Sequence, residues 1–447
     1  MAAEDALTLV TDLIAKARTA GADAADAVLV DSASLSVAFR MGKPERVERS
    51  ESGDVGLRVF VGKHQAIVSS SDRSPLALDQ LVERAVAMAR TVPEDPFCGL
   101  AEPGQLAKDL PELDICDPEE PAPNVLVDWA SRAEDAARAV PGVTNSEGAE
   151  AGWGRSFVAL AASNGFSTSY SMSNSQISAS VLAGDAATGM ERDYDYSAAV
   201  YFSDLRQPED VGHEAGHRAV RRLGARKVST ARVPVVFDQR VARGILGHLA
   251  GAINGAGIAR GTSFLKDSLG KRVLPQGMSV IDDPHRPRGL RSKPCDGEGV
   301  ANRRRAIVED GILTTWFLDL RSARQLGMET TGHASRGTGS PPSPSCTNLW
   351  LEPGPVTVAE MIGDIADGFY VTELFGMGVN GITGDYSRGA AGFWIENGEL
   401  AYPVNEVTVA GNLKDMFLNM SAANDLVFRS GMDAPTLCIE GLTIAGA

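Results

Sequence analysis

FWIENGELAYPV, residues 393–404, consists of two runs of β-forming residues that meet at Asn397 and Gly398. Asn-Gly tolerates the two positive φ angles of a tight hairpin turn, so the stretch predicts two antiparallel strands. The same signature recurs at Asp310 and Gly311 in RAIVEDGILTTWFLD (305–319), and at Asn164 and Gly165 in FVALAASNGFSTSYSMSNSQISASVLAG (157–184). Hairpins spread along the chain, with helical patterns between them but no strict strand-helix-strand alternation, indicate an α+β fold rather than a doubly wound parallel sheet. The expected architecture has two domains, with helices packed on mainly antiparallel sheets.

Working outward, the first segment places Leu9, Val10, Leu13, Ile14 and Ala17 at helical spacing. AVLVDSASLSVAFR (27–40) alternates at Leu35, Val37 and Phe39, and VGLRVFVGKHQAIVSSS (55–71) predicts a hairpin at Gly62 and Lys63. Ser74 before Pro75 reads as a helix cap. Residues 92–122 are rich in proline and acid without period, which predicts a surface connection. The pattern restarts with RVPVVFD (232–238) as a strand and QRVARGILGHLAGAI (239–253) as a helix. The expected domains are therefore an N-terminal α+β unit, 1–227, and a β-rich unit, 228–447.

With 447 residues the chain is long enough for two cores. Its formal charge of −16 disfavours nucleic acid and anionic lipid as partners. No basic leader precedes an apolar core and no stretch is apolar enough to span a bilayer, so a cytoplasmic protein is expected. Five scattered cysteines, Cys98, Cys116, Cys295, Cys346 and Cys438, suit a reducing compartment and form no Cys-x-x-Cys pair.

VGHEAGHRAV (211–220) contains His213, Glu214 and His217, the His-Glu-x-x-His spacing of zinc peptidases. At about 100° per residue, Val211, Ala215 and Ala219 form an apolar stripe, while His213 and His217 with Glu214 fall on the polar side. No metal or catalytic role is expected of them. The alternative is a zinc peptidase ligated by His213 and His217 with Glu214 as base. Gly376, Gly378 and Gly381 match a dinucleotide pattern but lead into β-formers, so they read as turns.

The runs YVTELFGMGVNGITGDYSRGAAGFWIENGELAYPVNEVTVAGNLKDMF (370–417), PRGLRSKPCDGEGVANRRRAIVEDGIL (287–313) and SARQLGMETTGHASRGTGSPPSPSCTNLWLEPG (322–354) resemble the TldD/PmbA family, in its PmbA/TldE branch. The resemblance extends from the first helix to PTLCIEGLTIAGA (435–447). It implies one subunit of a heterodimeric metallopeptidase acting on unstructured peptides. The TldD branch carries His-Glu-x-x-x-His on the helix that corresponds to GILGHLAGAI (244–253), with a cysteine near the C-terminus. Here Gly247, His248 and Ala252 stand at those three positions, and only RSGMD (429–433) lies where the cysteine-bearing loop would be. The resemblance thus implies that this chain binds no cofactor and that zinc sits in a TldD-type partner. Gly378, Asn380, Gly384, Asp385, Ser387 and Arg388 form a candidate loop for substrate or partner. The rival from another class is a non-catalytic interaction protein of the gyrase-modulator kind.

Overall fold

A computed structural model describes residues 3–185 and 189–446. Its first half is one six-stranded antiparallel sheet in the order β3-β2-β1-β4-β5-β6. The strands are β1 (Ala24–Arg40), β2 (Lys43–Val61), β3 (His64–Ser70), β4 (Val143–Ala162), β5 (Ser167–Asp185) and β6 (Gly189–Ala199). Helices α1 (Ala3–Thr19) and α2 (Pro75–Ala89) bracket the first three strands, and α3 (Pro123–Arg138) and α4 (Pro208–Arg221) bracket the next three. The half is therefore two helix-three-strand-helix units set back to back across β1 and β4, whose antiparallel register pairs Leu35 with Trp153 and Ser34 with Gly154. No repeat in the sequence announces this duplication.

Side chains alternate across a strand, so each strand gives one face to the helices. Leu29, Leu57 and Val59 pack with Val10 and Leu13 of α1 and Leu81 of α2. Leu35, Val37, Phe39, Trp153 and Ile177 pack under α3 and α4. Burying such side chains contributes roughly 1.5–3 kcal/mol each. Ser74 caps α2 as expected, its hydroxyl accepting from the Ala77 amide.

Residues 92–122 depart from the expected surface connection. Cys98, Ala101, Leu113, Ile115 and Asp117 are buried. Arg324 donates to the carbonyls of Phe97 and Gly99 at 3.2 and 3.0 Å, and Arg288 holds Asp114 at 2.7 Å. The apolar residues interspersed among the prolines pin the segment as a strap between the two halves. A composition signal without period could not report them.

The second half begins at β7 (Ala231–Phe237), followed by α5 (Gln239–Ala252). Strand β7 lies between Asp367–Phe375, to which it is parallel, and Leu437–Ala445, to which it is antiparallel. Asp385–Glu396 and Glu399–Asn412 continue the sheet, and pairing of Thr408–Ala410 with Thr443–Ala445 curls it back on itself. Asp310, Gly311, Asn397 and Gly398 all have positive φ, as the hairpin reading requires. A second, five-stranded sheet includes Val280–Asp283 and the Asp310 hairpin.

Two buried ionic seams join the halves. Asp26 is held by Arg58 at 2.5 Å and by Arg336 at 2.5 Å, with Glu298 at 3.4 Å from Arg58. At the β6 edge, Arg240 reaches Asp193 at 2.7 Å, while Arg222 and Arg240 donate to the Arg192 and Tyr194 carbonyls. Those arginines occupy acceptors that a seventh strand would otherwise use.

Candidate functional site

Helix α4 buries Val211, Gly212, Ala215, Gly216 and Ala219. A Cβ at Gly212 would stand 2.1 Å from the Ala133 carbonyl oxygen of α3, so the glycine permits the close helix crossing. His213 and His217 on the opposite side are exposed. Glu214 is ion-paired with Arg218 at 2.7 Å, and Arg218 also holds buried Asp195 at 2.8 Å. The carboxylate that would serve as base is thus tied to a guanidinium, and that cation next to His217 opposes a metal ion. Among the described residues no three His, Cys, Asp or Glu side chains gather as a metal-holding group.

Helix α5 starts where Asp238 accepts from the Arg240 amide. Ala242, Ile245, Leu246 and Leu249 face the core. On the other side Gly244 and Gly251 have nothing within 4 Å of a would-be Cβ, and at Gly247 only Met432 Sδ approaches, at 3.5 Å. Ala252 is buried. Met432 comes from the RSGMD connection, which Asp433 closes by accepting from the Arg429, Ser430 and Gly431 amides at 2.9, 3.0 and 3.1 Å. Cys438 pairs in register with Val236 inside the sheet, and burial pushes its thiol up to about 12. Glycine and alanine side chains offer no donor atom to a metal. The residues at these positions therefore do not fit a zinc ion.

His248 has instead a buried Nε2 without a hydrogen-bond partner among the described residues, and its ring meets Tyr386 edge-on at 5.8 Å. The Tyr386 hydroxyl and Arg388 Nε are likewise buried and unpartnered, although Arg388 donates from Nη2 to the Leu374 carbonyl at 3.3 Å. Burial, and then the Arg388 charge, holds the imidazole below its usual pKa. Burial raises Tyr386 to about 12 against the pull of Arg388. The phenol and the guanidinium can donate to neutral or anionic oxygen acceptors, and the Arg388 charge opposes a cation.

Thus Arg388 joins His248, whereas the rest of its candidate loop does not. Asn380, Asp385 and Ser387 are exposed at the hairpin tip and Gly384 is buried. The tip folds on itself, with the Ser387 amide donating to the Gly378 carbonyl at 2.7 Å and the Asn380 amide to the Asp385 carbonyl at 2.9 Å. Gly376, Gly378 and Gly381 lie in these turns.

Sequence reading missed the face of the first sheet opposite the helices. There Ser32, Ser34 and Ser36 of β1 lie beside Ser156, Gly154 and Gly152 of β4, which in turn pair with Met172, Asn174 and Gln176 of β5. Two adjoining cavities of about 340 and 580 Å³ run along this face and share Ser32, Ser156, Met172, Leu290 and Ser292. The second lies under the C-terminal half, against Arg291, Lys293, Arg336 and Cys346. Small residues alternating with Leu35, Val37 and Trp153 were the signal: one face packs and the other remains an open polar floor.

Models of the PmbA/TldA metallopeptidase family match this chain in three pieces: domain 1 over residues 25–89, the central domain over 116–223 and the C-terminal domain over 230–446. The chain is 40% identical over 426 residues to "Metalloprotease PmbA" of Escherichia coli O157:H7, covering 95% of this chain and 92% of that one. It is 38% identical over 434 residues to a "Metalloprotease PmbA homolog" of Haemophilus influenzae, covering 96% and 94%. Among solved structures, a Bacteroides thetaiotaomicron protein named as a candidate modulator of DNA gyrase superposes with a TM-score of 0.90 at 26% identity, over 98% of both chains. TldE from Thermococcus kodakarensis superposes at 0.88 and 20% identity, over 98% of this chain and 100% of that one, a likeness of fold.

Proposed function

This chain belongs to the PmbA/TldA metallopeptidase family, and from that membership we propose that it is the PmbA/TldE-type, metal-free subunit of a two-subunit peptidase. One observation supports the reading: the positions of helix α5 that correspond by resemblance to the TldD branch's metal ligands hold Gly247, His248 and Ala252, with Met432 packed against the first. The TldD-type partner supplies zinc and the general base that activates water. This chain completes the chamber and holds an unstructured peptide in extended form on the Ser and Gly floor of its first sheet. A floor of small side chains with hydroxyls and the Asn174 and Gln176 amides is tolerant of side-chain identity. Among the described residues no helix is long and apolar enough to cross a membrane; the proposed site of action is the cytoplasm.

Co-expression tests the pairing. The chain and a TldD-type partner are expected to copurify 1:1, burying at least a standard interface of about 1,600 Å². Only monomer or homodimer at micromolar concentration, with the partner present, would refute the subunit role.

A further inference from the structure

The larger cavity on the helix-free face carries an excess of positive charge in a strongly acidic protein. Arg291, Lys293 and Arg336 line it, against Asp54 as the one carboxylate among its lining residues. Arg336 is already matched by Asp26 at 2.5 Å. Arg291 and Lys293 have only neutral hydrogen-bond partners among the described residues: Arg291 Nη1 meets Cys346 Sγ at 3.6 Å and Lys293 Nζ meets the Ala334 carbonyl at 3.4 Å. The acids behind them are engaged elsewhere. Asp282 accepts from the Thr347 amide at 2.7 Å and lies 3.2 Å from His333 Nε2, while Asp296 accepts from the amides of Glu298, Val300 and Ala334 at 2.8, 2.9 and 3.1 Å. Burial lowers the Lys293 pKa, Asp296 and Asp282 offset this in part, and the Arg291 charge adds to it.

We infer that this end of the groove receives a carboxylate of an extended peptide, held between Arg291 and Lys293. The inference rests on reading this chain as a peptide-holding subunit and adds a substrate feature and a direction. With the carboxylate fixed there, the peptide runs past Ser32 and Ser156 into the adjoining cavity over Ser34 and Gly154. Two partly desolvated cations form stronger hydrogen bonds to a carboxylate than to a neutral amide. The carboxylate is either the chain terminus or an acidic side chain, and one set of probes separates them.

The probes are acetylated Gly-Ser-Ala-Gly-Ser-Ala carrying a neutral dye, in three forms: free acid, C-terminal amide, and amide with Glu at the fourth position. Binding is read by fluorescence polarisation on the full chain alone. The free acid is expected to bind at least about tenfold tighter than the plain amide, a difference of about 1.4 kcal/mol. In Arg291→Gln/Lys293→Gln that advantage disappears while amide binding stays unchanged, and Arg291→Gln by itself reduces it. If the Glu peptide matches the free acid, the site takes carboxylates generally; if it matches the amide, the site is specific for chain ends. Equal binding of acid and amide to the parent chain, no binding of either, or a double variant that still discriminates would overturn the inference. The assay uses neither partner nor metal, so it can fail while subunit pairing stands, and the reverse.

Discussion

Helices α4 and α5 carry opposite halves of a metallopeptidase signature. Helix α4 has the residues of a zinc motif in a place that serves packing: its glycines are pressed into α3, its histidines project outward, and its glutamate is bound to Arg218. Helix α5, which by resemblance corresponds to the metal-bearing helix of the TldD branch, carries Gly247, His248 and Ala252 instead, and one side of it is bare at Gly244 and Gly251. A motif consists of residues plus the face on which the fold presents them. Neither helix has both.

The largest expected effect separates the two sets of glycines. Gly212→Ala puts a Cβ 2.1 Å from a backbone oxygen, which no side-chain adjustment can relieve. The gain in helix propensity is smaller than that clash, so a net loss of roughly 1–3 kcal/mol is expected in urea unfolding. Gly244→Ala meets nothing and should stabilise the isolated chain by about 0.5–1 kcal/mol through helix propensity alone. If the two substitutions shift the midpoint in the same direction, the contrast between a packed α4 and an open α5 is wrong.

The pH dependence of stability sharpens the comparison further. In the folded chain burial and Arg388 lower the His248 pKa, so the unfolded state binds the proton more readily. Stability therefore falls as pH drops below the unfolded value of about 6.5. In His248→Gln the loss of stability between pH 7.5 and pH 5.5 should be smaller than in the parent, as measured by urea midpoints at the two pH values. An unchanged or larger loss would show that the imidazole is not held neutral by its surroundings.

The smallest effect is expected on α4. His213→Ala with His217→Ala in the reconstituted complex should leave peptide cleavage within about twofold of the parent, whereas loss of a metal ligand removes on the order of a thousandfold. A double variant that folds and pairs but is inactive would restore α4 as a catalytic helix.

Much of this contrast is legible in the sequence. The 100° projection already places His213 and His217 opposite Val211 and Ala215, because an amphipathic helix fixes its own orientation. The Asp310-Gly311 and Asn397-Gly398 turns are equally local, requiring only two residues that accept positive φ. What stayed hidden depends on partners distant in the chain. Arg388 reaches His248 through a hairpin more than a hundred residues away, and nothing around either residue encodes the meeting. The strap at 92–122 looks solvated because its buried residues follow no period. The Ser and Gly face of β1 and β4 was visible as alternation, but only the approach of Leu290 to Lys293 from the second half turns that floor into a groove.

Metal content tests the central claim most directly. Elemental analysis of the purified chain alone should find no stoichiometric zinc. The 1:1 complex with a TldD-type partner should hold about one zinc, retained in His213→Ala/His217→Ala and lost when the partner's own motif histidines are replaced. About one zinc per isolated chain, lost on His213→Ala, would contradict the account and make α4 the metal helix.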